Sequence, residues 1–270
     1  MLYEREKKIM VGDMYQEVDI FSRDTEQDLA TRKGTRSKKQ RVTAPAQSNL
    51  NDRNARRYLT QLANGNFGEG DLFVTLTYKS EYAPSTVKEA EHHVTLFLRR
   101  VAYRRKKLHL EPLKYILVTE YRTDDDGNMV GKIHHHLIMN AMDRDVLESL
   151  WSERRHSLGF ARTQKLQPDN AETGNGIEGL VDYLTKDPKG RKRWSSSRNL
   201  SRPVSRTNDH KYSRRRIRTL SEDGASAYAF FKEKYPDWEV VAPVEFIQNK
   251  LTGEWNVYLK MWRKATVKQR

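Results

Sequence analysis

The chain has 270 residues, 36% of them hydrophobic and 32% charged, with a formal net charge of +14 and no cysteine. That length supports one sizeable core with extensions or two small domains, and the lack of cysteine excludes disulfides and cysteine-based zinc sites, so any metal must be held by His, Asp or Glu. The positive charge suits a polyanion, nucleic acid first; with no apolar run near the length of a spanning helix, and no apolar signal-peptide core behind Met1 to Lys8, a cytoplasmic protein without membrane contact is expected.

Residues 1–48 read as a basic N-terminal extension. A strand is expected around Val11 to Phe21, followed by a polar segment carrying Arg32, Lys33, Arg36, Lys38, Lys39 and Arg41, which suits either a solubilising linker or a DNA-contacting arm. A core is expected over residues 49–190. It opens with a helix over Asn51 to Asn64, where Ala55, Tyr58, Leu59 and Leu62 form one apolar stripe and Asn64-Gly65 supplies the stop. Leu72 to Tyr78 reads as a strand, with Leu72, Val74, Leu76 and Tyr78 on one face and Phe73, Thr75 and Thr77 on the other. Thr86 with Glu89 is a capping-box signature for a helix burying Val87, Ala90, Val94, Phe97 and Val101. The cluster Arg99, Arg100, Arg104, Arg105, Lys106 and Lys107 at its end suits the helix dipole as well as it suits DNA.

Lys114 to Tyr121 is the next strand, and Thr123 to Asn128 a hairpin connection into Gly131-Lys132-Ile133-His134-His135-His136-Leu137-Ile138-Met139. Side chains on a strand alternate, so His134 and His136 share a face and can hold one divalent metal. Whether Glu120 joins them depends on register, because directly opposed residues of an antiparallel pair face the same side. A two-residue Asp126-Gly127 turn would pair Glu120 with Ile133 and turn it away. A loop of odd length centred on Gly127 would pair it with His134, and Asp124, Asp125 and Asp126 are the alternative carboxylates.

Asp143 can cap a short helix burying Val146, Leu147, Leu150 and Trp151, and a strand is expected near Phe160 to Leu166. After Gly174-Asn175-Gly176, the residues Ile177, Leu180, Val181 and Leu184 form a helical stripe. Tyr183 sits at its border with solvent, Lys186 one turn on, and Gly179 one turn before leaves bare backbone where a bulky substrate could approach. Residues 191–270 are expected to form a basic segment, a helix over Ala225 to Tyr235, and a β-hairpin of Glu239 to Gln248 with Asn256 to Trp262. Lys189, Arg191, Lys192, Arg193, Arg198 and Arg202, with Trp194 and the serines among them, suit a phosphate backbone and unstacked bases; a plain basic linker is the competing reading. There is no phosphate-binding Gly-x-x-x-x-Gly-Lys-Ser/Thr loop, so no fused ATPase is visible.

The ordered trio of the Leu72–Tyr78 strand, the His-x-His strand and Tyr183-Leu184-Thr185-Lys186 resembles the motifs of the HUH endonucleases, in particular the rolling-circle replication initiators of single-stranded DNA phages and bacterial plasmids and mobile elements. The run from Arg193 to Pro203 is similar to a segment that follows the tyrosine in bacterial replication-associated proteins. The resemblance implies an α+β fold, a central antiparallel β-sheet with helices packed on it. It implies Mn²⁺ or Mg²⁺ on His134, His136 and Glu120, the second register being the favoured one, although zinc fits the ligand types too. Tyr183 would be the nucleophile on single-stranded origin DNA. A phenol is mostly protonated at neutral pH, so Lys186 or the metal would favour the phenolate. A host helicase and polymerase are implied partners, and a second subunit of a homo-oligomer would supply a second nucleophile. His135 stands where the family has a hydrophobic residue; it is expected to fill space toward the helices or to offer an alternative ligand. The other readings are a single-tyrosine transposase of the same superfamily and a non-enzymatic basic nucleic-acid-binding protein.

Overall fold

The structure, a computed structural model, describes residues 2–26, 45–123, 129–154, 156–168, 176–185, 194–250 and 252–264. Its elements in chain order begin with β1 (Leu2–Val11), β2 (Tyr15–Asp24), α1 (Pro45–Asn64), β3 (Leu72–Leu76), α2 (Val87–Lys107), β4 (Tyr115–Thr123), β5 (Met129–Met139) and α3 (Arg144–Ser149). They continue with β6 (Ser152–Glu153), β7 (His156–Ser157), β8 (Ala161–Lys165), α4 (Glu178–Leu184), β9 (Trp194–Ser196), β10 (Val204–Asn208), α5 (Arg214–Ser221), α6 (Gly224–Lys234), β11 (Trp238–Val240), β12 (Glu245–Gln248) and β13 (Trp255–Arg263). The fold is α+β with antiparallel sheets and helices packed on them, as expected. Among the described residues no helix is long and apolar enough to cross a membrane.

The chain divides into two compact units, residues 66–168 with 177–200 and residues 1–65 with 169–176 and 201–270. The first is built on a five-stranded sheet in the order β8-β3-β5-β4-β9, every pairing antiparallel. One face of that sheet carries Leu72, Val74, Leu76, Leu117, Ile133, Leu137 and Met139, which pack with Ala90, Val94, Phe97 and Val101 of α2 and with Leu147, Trp151 and Leu158. The helix starts where the sequence says it should. Thr86 Oγ1 accepts from the Glu89 backbone N–H at 3.2 Å, while the Glu89 carboxylate reaches one residue further back, accepting from Ser85 N–H at 2.8 Å. At the other end Arg105 is buried and donates to the carbonyl oxygens of Glu111, Asn140 and Ala141, so this member of the cationic cluster ties the α2–β4 and β5–α3 connections together.

Gly159 lies where the chain entering β8 crosses the end of β3. A Cβ there would stand 2.0 Å from Thr77 O and 2.7 Å from Tyr78 Cα, and backbone atoms cannot rotate away. Overpacking of this kind costs about 2 kcal/mol, so Gly159→Ala should lower the urea midpoint of the transition followed by Trp fluorescence; an unchanged midpoint would contradict the crossing.

The other unit holds a second antiparallel sheet that was not expected from the sequence, in the order β10-β1-β2-β13-β11, with β12 also paired to β13. The single strand expected around Val11 to Phe21 is instead the turn and second arm of a hairpin, Val11 pairing with Tyr15. The strand expected over Glu239 to Gln248 is two, β11 and β12, which pair with opposite ends of β13. Helices α5 and α6 cover one face through Ile217, Leu220, Ala227 and Phe231, packed on Val18, Ile20, Val257, Leu259 and Met261. Helix α1 starts earlier than expected and buries Leu59, Leu62 and Ala63, while Ala55 is exposed. Arg57 and Gln61 of that helix hold the buried Glu17 carboxylate, at 2.7 and 2.8 Å.

Candidate active site

The second face of the five-stranded sheet carries the chemistry. Alternation sends Ile133, His135, Leu137 and Met139 into the core and leaves His134 and His136 on the opposite side. Register then supplies the carboxylate: Glu120 is opposite His134 and Val118 opposite His136, so all four face one way. The ligand atoms of Glu120, His134 and His136 lie within 4.8 Å of one another. This is the odd-loop register anticipated above, reached by a different route. Thr123 pairs with Met129, so the connection is residues 124–128, which with Asp124, Asp125 and Asp126 lie outside the described residues. Between that pair and Glu120 the register shifts in a bulge, β5 advancing from Val130 to His134 while β4 moves only from Arg122 to Glu120. Gly131 sits in the bulge with φ +81°, a conformation glycine adopts without steric cost. The shift is by two residues, so it leaves unchanged which residues share a face.

His136 is the best-held of the three. Its Nδ1 is 3.2 Å from Thr75 Oγ1, its Nε2 is 3.2 Å from Glu120 Oε2, and its ring stacks on Phe73 with centroids 5.8 Å apart and planes 8° from parallel. Burial pushes its pKa below the ordinary histidine value, the Glu120 carboxylate pulls the other way, and His134 adds to the depression. Without a cation the Nε2–H can donate to Glu120 while Thr75 donates to Nδ1. With one, Nε2 must offer its lone pair, and the same hydroxyl can turn to accept from Nδ1–H. Thr75 therefore serves both tautomers, the outer-shell role that fixes a ligating imidazole. Two imidazoles and a carboxylate at this spacing are a donor set that fits a divalent ion, making these residues a candidate metal-binding group.

Tyr183 completes the arrangement. Val181 is buried on the inner side of α4, whereas Tyr183 is 52% exposed, and its ring meets that of His136 edge-to-face with centroids 6.1 Å apart. A residue far along the chain from the histidines is thus brought beside them. Gly179, one turn earlier, has nothing within 4 Å of the position a Cβ would take, so the approach along the helix is open there.

His135, expected either to fill space or to act as a ligand, turns into the core. It is fully buried, with Nε2 2.9 Å from Tyr78 Oη and Nδ1 3.0 Å from Thr119 Oγ1. Burial pushes its pKa down to about 3, with neighbouring histidines adding to the effect. It is a neutral core group whose two nitrogens both have partners. His135→Leu would strand two buried hydroxyls, costing about 2 kcal/mol, and should lower the thermal midpoint while Mn²⁺ binding persists. Loss of Mn²⁺ binding with an unchanged midpoint would make it a ligand after all.

The basic residues divide differently. Lys186, Lys189, Arg191, Lys192 and Arg193 lie outside the described residues. Arg198 follows β9 and is exposed. Arg202 belongs to the other unit, where it donates to Tyr58 Oη at 3.4 Å. Thr75 and Phe73 were missed as parts of the site; their place on the minority face of β3 was the available signal.

Residues 71–188 match a family of replication-associated proteins, the ORF2 type. The matched segment holds Thr75, Glu120, His134, His136 and Tyr183. It supports a role in DNA replication. No curated protein matches the chain, and no solved structure does.

Proposed function

We propose that this protein nicks and rejoins single-stranded DNA at a replication origin, with Tyr183 as the attacking group. The observation that carries the proposal is the contact of the Tyr183 and His136 rings, 6.1 Å between centroids, which puts a solvent-reachable phenol beside the His/His/Glu group. A divalent ion bound there, Mn²⁺ or Mg²⁺, would supply charge neutralisation at the scissile phosphate. The phenolic oxygen attacks phosphorus and the bond from phosphorus to the 3′ oxygen breaks. The products are a tyrosine ester of the 5′ phosphate and a strand ending in a 3′-hydroxyl, which takes up a proton equivalent to the one the phenol loses. Since a diester is exchanged for a diester, a 3′-hydroxyl can run the step backwards and seal the strand.

Glu120 and Thr75 orient His136. Phe73 limits its ring rotation by stacking. The exposed 3′-hydroxyl is a primer for a host polymerase, and without a phosphate-binding loop in the sequence the duplex must be opened by a separate helicase. A second nucleophile for ending a round would come from a second copy of the chain.

The test is to incubate end-labelled single-stranded origin DNA with the protein and Mn²⁺ and to separate the products under denaturing conditions. A labelled band at the mass of protein plus DNA, absent with EDTA, is expected. A shift seen only in native gels would leave a binding protein without this chemistry.

A further inference from the structure

Phe160 is the most exposed large apolar side chain among the described residues, at 76%. It is also firmly placed. Thr77 N–H donates to Phe160 O at 2.9 Å and Lys79 N–H to Leu158 O at 2.9 Å, and Gly159 between them makes the close approach to Thr77 described above. The next residue, Ala161, pairs with Leu76 and packs against the core. Alternation therefore sends Phe160 and Arg162 to the opposite face, the one bearing His134, His136 and Glu120.

The pairings put both residues in register with the candidate site. Arg162 is opposite Thr75, which is opposite His136. Phe160, one step beyond the Ala161–Leu76 pair, continues the row of Thr77, His134 and Glu120. Two strand spacings, roughly 10 Å, separate the edge strand from the histidine strand. An aromatic ring standing in water beside an exposed arginine gains nothing for the fold. The pair presents one π-face and one guanidinium, the two elements that unpaired nucleotides bind.

We propose that Phe160 and Arg162 form a substrate subsite: an unpaired base near the scissile phosphate stacks on Phe160, Arg162 pairs with a neighbouring phosphate, and the strand crosses β8 and β3 toward the histidines. This rests on the nicking activity proposed above and names how its substrate is held. The occupant is single-stranded DNA because the site lies in continuous rows with the candidate metal group and the chain carries a net charge of +14.

The experiment measures fluorescence anisotropy of a fluorescein-labelled, mixed-sequence single-stranded oligonucleotide with the full chain in EDTA, so that no cleavage intervenes. Phe160→Ala should raise Kd about tenfold, within the range for a lost base stack, and Phe160→Trp should restore it. Arg162→Gln should flatten the dependence of log Kd on log salt by about 0.7, one phosphate contact to a single strand. An unchanged Kd in Phe160→Ala and an unchanged slope in Arg162→Gln overturn the subsite. So does a wild-type dimer, seen by sedimentation velocity, that Phe160→Ala dissociates without altering DNA affinity, because the ring would then be a self-association contact. Adduct formation with Mn²⁺ is scored separately. Adduct with unchanged affinities sinks the subsite and leaves the nicking proposal standing; weakened binding with no wild-type adduct does the reverse.

Discussion

Tyr183→Phe is expected to form no covalent adduct with single-stranded DNA while binding it as the parent chain does. The substitution removes one oxygen and keeps the ring, so the edge-to-face packing on His136 and the buried Val181 of the same helix are retained. What is lost is the attacking atom, for which no neighbouring group in the site substitutes. Removal of a covalent nucleophile typically costs on the order of 10⁴-fold or more in rate, below detection in a gel assay. The chain has 13 tyrosines, and adduct formation at an undiminished rate would mean that another of them attacks.

The second large effect concerns the histidines. His136→Ala should weaken Mn²⁺ binding by about 100-fold or more, measured by loss of the free-ion EPR signal, because even groups one shell removed from a metal are worth 10- to 100-fold. The same change also removes the ring on which Phe73 and Tyr183 pack, so adduct formation should fail at every metal concentration. His134→Ala leaves His136, Glu120 and Thr75 in place and should be rescued in part by raising Mn²⁺. If both variants bind Mn²⁺ as tightly as wild type, the metal is elsewhere.

These expectations rest on features that differ in how visible they were from sequence. Short-range patterns carried well. The Thr86 cap and the Ala90, Val94, Phe97 and Val101 stripe depend on neighbours within a turn or two, and strand alternation alone separates His134 and His136 from His135. Glu120 was different. Its facing depends on the loop and bulge joining two strands, and a shift of a single residue would have reversed it; only its parity could be argued beforehand. The second sheet was invisible for another reason. Its pairs join the ends of the chain, such as Lys7 with Thr207 and Val18 with Leu259, and its interior holds Glu6 and Glu17, residues that read as solvent-facing until Lys211, Tyr15, Arg57 and Gln61 are seen holding them. Helix α5 hides likewise in a run that reads as merely basic, with Ile217 and Leu220 its only buried apolar residues. Phe160 was visible as a strand residue, but its exposure was not, because the edge position of β8 is a property of the sheet.

The central claim is that one phenolic oxygen, that of Tyr183, takes the DNA. The most direct measurement is to form the adduct with Mn²⁺, digest both protein and DNA, and sequence the modified peptide by mass spectrometry. The account predicts a 5′-phosphonucleotide mass on the peptide containing Tyr183 and on no other. The same mass on a different tyrosine, or a DNA product cut without any modified peptide, would contradict it.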